Sequence, residues 1–164
     1  MFEVKKPKIG LAAVMCTPFR GDKESNYSSD QKALEKIALE LDFELRVISD
    51  GIYDLNAAQK AADQLKEWGA NFILLQTSSF ASGDFLYPFT NLNIRMGLWS
   101  VPEGPPTSEG GLPLNSFTAS NLYNSIIRTT LPDYNQPVKW FFGHPGSPLF
   151  DQRLAVTVQA LRAL

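Results

Sequence analysis

The sequence predicts an α/β fold in which a five-stranded parallel sheet is doubly wound between two helical layers. Three observations predict it. Short, almost wholly apolar runs alternate along the chain with longer stretches of helical periodicity. Those runs are apolar on both faces, as strands covered by helices on either side are. The links between them are short, so successive parallel strands need right-handed helical crossovers.

Ile9 to Cys16 is the first strand, ended by Thr17-Pro18. A polar loop follows, and Ser28, three residues before Gln31, has the capping-box spacing that opens a helix. Leu34, Ile37, Ala38 and Leu41 form that helix's apolar stripe. Phe43 to Ile48 is the second strand, with Ser49-Asp50-Gly51 as its turn. Asp54 caps a helix whose inner face is Leu55, Ala58, Ala61, Ala62 and Leu65, and Gly69 supplies its left-handed C-terminal position.

Phe72 to Leu75 is the third strand and delivers Gln76-Thr77-Ser78-Ser79-Phe80 to a polar turn. Between Ala81 and Leu92, Gly83 and Pro88 interrupt any helix. The fourth strand, Arg95 to Val101, leads into a Gly/Pro loop of about twenty residues before a helix around Leu122 to Ile127. The segment carries Trp99, Glu103, Leu112, Leu114, Asn115 and Phe117, groups that need burial or partners, so it is expected to be ordered. Val138 to Gly143 is the fifth strand, and Pro148 starts a last helix with Leu154, Ala155, Val158 and Leu161 on its stripe.

With 44% apolar and 20% charged residues, residues 1–164 suit a single domain with its own core. A net charge of −2 with scattered Lys and Arg argues against nucleic acid as a partner. No apolar run reaches the length of a signal core or a membrane span, so the expectation is a cytoplasmic protein. Cys16, the single cysteine, has no partner for an internal disulfide. The last helix stops at Leu164 inside its apolar pattern, without a stop signal. Either it frays there, or the chain is the N-terminal part of a longer multidomain protein; the second is the sharper expectation.

The expected strand order is 2-1-3-4-5, the flavodoxin-like arrangement, in which ligands bind at the carboxyl ends of the strands near the reversal of order. Cys16, Thr17, Arg20, Asp50, Gln76 to Phe80, Trp99, Ser100, Glu103 and His144 would reach that end. Cys16 lacks the arginine six residues on that a phosphatase-type loop needs, since position 22 is Asp22; a structural thiol is the alternative. His144, the only histidine, is either a lone base, a ligand completed by other parts, or a turn histidine bonded to backbone. Asp84, Glu103 and Glu109 are loop carboxylates with nothing in the sequence to pair them. Thr77-Ser78-Ser79 would bond a sugar or phosphate, or merely cap the next segment. Among the aromatics, Trp99 and Phe117 flank the loop and are the ones placed to stack on a ligand. No dinucleotide fingerprint and no phosphate-binding loop ending in Gly-Lys-Ser/Thr is present.

Gly97-Leu-Trp-Ser-Val-Pro-Glu103, Leu112-Pro-Leu-Asn-Ser-Phe117 and Val138-Lys-Trp-Phe-Phe-Gly143 resemble the N-terminal domain of the L-fucose isomerase and L-arabinose isomerase superfamily, in particular its fucose-isomerase-like branch. The likeness runs from Lys8-Ile-Gly-Leu to Leu154-Ala-Val-Thr-Val-Gln-Ala-Leu161. It implies an aldose-ketose isomerase of several domains, using a divalent metal, commonly manganese, held by two carboxylates and a histidine of later domains. It implies a homo-oligomer in which this domain helps to enclose a neighbour's sugar site. By that analogy Ser79, Phe80, Trp99 and Glu103 bind substrate, and the chain holds neither a catalytic residue nor a metal ligand. Two readings from other classes stand beside it: a stand-alone flavodoxin-like module that binds a sugar or phosphate, and a structural oligomerisation domain.

Overall fold

Five strands, β1 (Lys8–Val14), β2 (Glu44–Val47), β3 (Phe72–Thr77), β4 (Arg95–Ser100) and β5 (Val138–Phe142), pair in parallel in the order β2-β1-β3-β4-β5. This is the predicted order, seen in a computed structural model that describes residues 5–106, 108 and 110–164. The helices α1 (Lys23–Glu40), α2 (Leu55–Trp68), α3 (Tyr87–Thr90) and α4 (Ser116–Thr130) lie between them in sequence, and α5 (Pro148–Arg162) follows β5. The period of two along each strand divides the core into two layers. Ile9, Leu11, Leu74, Trp99 and Phe141 face α1 and α5, with Leu34, Phe150 and Leu154 packed on them. Ala12, Val14, Ile73, Leu75 and Leu98 face the opposite way, onto Ala58, Ala62, Leu65 and Tyr123 of α2 and α4. Among the described residues no helix is long and apolar enough to cross a membrane.

Local signals placed several boundaries correctly. Asp54 caps α2 by accepting the Ala57 amide at 2.7 Å, and Gly69 ends it at φ +83°. Pro148 occupies the first turn of α5. Other boundaries moved. Helix α1 begins at Lys23, not at Ser28: Asp22 accepts the Ser25 amide at 3.2 Å, and the buried stripe runs back through Asp30 and Tyr27 to Lys23. Helix α4 begins at Ser116, so the loop after β4 is shorter than expected. Its first two turns face the sheet with Ser116, Ala119 and Ser120, small and polar residues that leave no apolar signal. The segment around Gly83 and Pro88 folds as a 3-10 turn, Gly83–Leu86, running into the single turn of α3. Leu55, expected on the inner face of α2, is half exposed.

Polar side chains weld α4 to the sheet. The Ser116 hydroxyl donates to the Thr77 carbonyl at 2.6 Å and accepts the Val101 amide at 2.9 Å, while Ser120 bridges the hydroxyls of Thr77 and Ser100 at 2.8 and 3.0 Å. All four side chains are buried, and each bond offsets the cost of taking a hydroxyl from water.

Gly97, in the middle of β4, fits because it has no side chain. A Cβ there would stand 2.6 Å from the Phe141 ring and 3.0 Å from Leu74. Phe141 is itself held by Phe72 and Phe150. Gly97→Ala is therefore expected to cost about 1–3 kcal/mol of overpacking. The gain of about 0.5–1 kcal/mol from removing a strand glycine offsets only part of it. A denaturant midpoint at or above wild type would refute this packing.

Candidate functional site

The carboxyl ends of the strands are covered by the loop after β4, and that loop is held by hydrogen bonds. Glu103 accepts the Leu114 amide on Oε2 at 3.0 Å and the Ser116 amide on Oε1 at 2.8 Å. Asn115, in the left-handed region at φ 54°, gives α4 no side-chain cap, so Glu103 performs that task from twelve residues upstream, with its negative charge at the helix N-terminus. The loop then reaches the other strand ends: Gly21 donates to the Pro113 carbonyl at 3.0 Å and Phe80 to the Leu114 carbonyl at 2.7 Å.

Beside this cover lies a chain of polar side chains. His144, just past β5, shares a 2.8 Å hydrogen bond between its Nδ1 and Oδ1 of Asp30 on α1. The Gln76 amide donates to the other Asp30 oxygen at 2.8 Å, and the Ser78 hydroxyl donates to the Gln76 carbonyl oxygen. Asp30, Gln76 and Ser78 are buried, whereas the His144 side chain is 45% exposed. Burial pushes the Asp30 carboxyl above its ordinary range, against the opposing pull of His144 and Gln76, which favour its charged form.

That direction has a stability consequence. A folded value above the unfolded one, about 3.9, means that the native state holds this proton more tightly. The resulting stabilisation is complete below the unfolded value and is lost as pH rises through the folded one. Asp30→Asn keeps the shape, and the Gln76 amide turns to present its oxygen to the new NH2. The stability of wild type relative to Asp30→Asn is expected to fall with rising pH across the acid range, read from urea midpoints. A difference that grows with pH would contradict the burial argument.

The expected site residues separate. Trp99 is not on the rim: it is fully buried, its indole N–H donates to the Gly143 carbonyl at 2.8 Å, and its ring lies 4.7 Å from that of Phe150. It belongs to β4, where Gln76 and Phe141 flank it, so it faces the α1 and α5 layer. Ser79 is buried as well, donating to the Phe80 carbonyl and accepting the Cys16 amide at 2.8 Å. Neither offers surface to a ligand. Phe80 is half-buried against Phe19, with ring centroids 5.7 Å apart, and Glu103 is half-buried in its capping role. Phe117 is 51% exposed and packs on Trp140. Glu109 lies outside the described residues.

Asp30 was missed, although a signal existed: it sits on the stripe of Tyr27 and Leu34, where a carboxylate must find a partner when buried. Among the described residues the His144 ring is bonded to that side chain and not to backbone.

Next to His144, an open groove of about 560 Å³ is lined by Pro102, Phe142, Pro148 and Leu149. A second groove, of about 530 Å³, opens at the opposite end of the sheet beside Lys6, Asp42 and Arg162. Within it Lys6 pairs with Asp42 at 2.7 Å and Arg162 donates to the Leu41 carbonyl at 2.6 Å, while Lys5 and Glu40 also line it. Among the described residues, no group of three or more His, Cys, Asp or Glu could hold a metal ion.

No protein-family model and no curated protein sequence matches the chain. It is similar to the X-ray structure of an oxidoreductase from Corynebacterium diphtheriae, at 12% identity over 98% of this chain and 97% of that one, with a TM-score of 0.44. A likeness at that level does not extend to chemistry.

Proposed function

We propose that this chain is the substrate-enclosing domain of a metal-dependent aldose-ketose isomerase of the fucose and arabinose isomerase kind. The reading starts from the resemblance of the segments around Trp99, Leu114 and Trp140. The observation that carries it further is the cover over the strand ends, which Glu103, Pro113 and Leu114 hold in one position by four hydrogen bonds. A surface that closes a polyol site must exclude water without being rearranged by each substrate, and a cover fixed beforehand does so at low entropic cost. Phe80, Glu103 and His144 are the groups this face offers a sugar; Trp99 and Ser79 act behind it as support.

The residues described here do not fit the isomerase's divalent metal, manganese by resemblance, and no step assigned to this chain runs through it. On this reading the metal, the downstream domains and a second copy of the chain complete the site. The test is an assay of the complete gene product with manganese over a panel of aldoses, beside the 164-residue chain. Ketose formation by the former and none by the latter is expected. Turnover by the short chain, or none by the complete product, would overturn the proposal.

A further inference from the structure

We propose that His144 is the acid-base group of a sugar subsite in the groove at the end of β5, where it opens the ring of a cyclic hemiacetal, with Asp30 as its positioning residue. The inference rests on the sugar reading above but concerns a different act, proton exchange in place of enclosure.

The geometry supports a base. Nδ1 of His144 is committed to Asp30, and its Nε2 makes no hydrogen bond among the described residues. With Asp30 ionised, Nδ1 carries the proton and Nε2 the lone pair. The carboxylate cannot swing away, because Gln76 holds its second oxygen and Ser78 fixes Gln76. When Nε2 takes a proton, the imidazolium that forms is stabilised by a buried anion at 2.8 Å. The groove's volume lies within the range of small-molecule sites. Its wall of Pro102, Phe142 and Leu149 suits the C–H face of a pyranose, while the imidazole meets a hydroxyl.

The chemistry follows from what an isomerase requires. Only the open-chain sugar has the carbonyl across which hydrogen moves between adjacent carbons, yet the sugar in water is mostly a closed hemiacetal. Nε2 of His144 takes the proton of the anomeric hydroxyl. The C–O bond of that hydroxyl becomes the carbonyl, the bond from the anomeric carbon to the ring oxygen breaks, and its electron pair passes to the ring oxygen. That oxygen takes the proton back from the imidazolium. Nothing is oxidised or reduced, and His144 ends as it began.

A bond that only fastened the loop after β5 to α1 would leave such a reaction untouched. The 164-residue protein is mixed with freshly dissolved single-anomer L-fucose, and equilibration of the anomers is followed by polarimetry. Wild type is expected to exceed the same concentration of free imidazole by about 10²-fold, the low end of positioned acid-base catalysis. His144→Gln should fall to the buffer rate, His144→Ala should regain rate when imidazole is added, and Asp30→Asn should lose at least about 10-fold and move the pH profile. A wild-type rate equal to that of free imidazole, or an undiminished rate in His144→Gln, would overturn the inference. Ketose formation by the complete gene product is read separately, so ketose without anomer exchange refutes only this step, and anomer exchange without ketose refutes only the isomerase.

Discussion

Trp99→Ala is expected to destabilise the protein by about 3–5 kcal/mol, the cost of emptying a tryptophan site in a packed core. The ring is fully buried between β5 and Phe150, and the indole N–H is the partner of the Gly143 carbonyl, so truncation opens a cavity and strips a hydrogen bond together. Against a total of about 5–15 kcal/mol for a domain, this is a fifth or more of the stability. The melting temperature should fall by about 10 °C or more. Trp99→Phe keeps one aromatic ring but loses the donor and the remainder of the indole, so it should fall between wild type and Trp99→Ala. If Trp99→Ala instead melted with wild type and lost only sugar affinity, the ring would have to lie on the surface.

The second large effect belongs to Glu103. Glu103→Ala leaves the Leu114 and Ser116 amides without acceptors and removes a carboxylate charge from the N-terminus of α4. Hydrogen bonds to a charged group contribute about 1.5–3 kcal/mol each, and partial exposure of this carboxylate reduces the sum to about 2–3 kcal/mol. The loop, not the sheet, should register the loss. Cleavage around Leu112 by a protease of broad apolar specificity is expected to accelerate well before global unfolding does. Glu103→Gln keeps one acceptor and turns an NH2 toward the other amide, so it should fall between the two. Equal protection of the loop in all three proteins would mean that other contacts hold it.

These two residues also mark how far the sequence alone could be read. Strand order was legible because alternation of apolar runs and helical stripes is local, and the chirality of crossovers leaves few topologies. Asp54, Gly69 and Pro148 were legible because a cap acts within four residues. Trp99 was misplaced because the end of a strand and the start of a loop look alike when both are apolar, and only the register with Gln76 and Phe141 shows which face the ring takes. Asp30 and His144 lie 114 residues apart, and no short-range pattern couples them. Their meeting depends on α1 and the end of β5 packing on the same side of the sheet, which is a property of the whole fold. The early turns of α4 were hidden for a different reason: they are bound to the sheet through hydroxyls, and a hydrophobic stripe does not report that.

The place of β5 at the margin of the sheet sets a timetable for the molecule. β1, β3 and β4 each have a strand on both sides, whereas β5 has only β4. In hydrogen exchange, the amides of β1 and β3 should therefore open only with the whole domain, while those of β5 exchange through a smaller, earlier opening. His144 follows directly on that strand, so the side of the candidate site it supplies should come loose and re-form many times within the lifetime of the folded core.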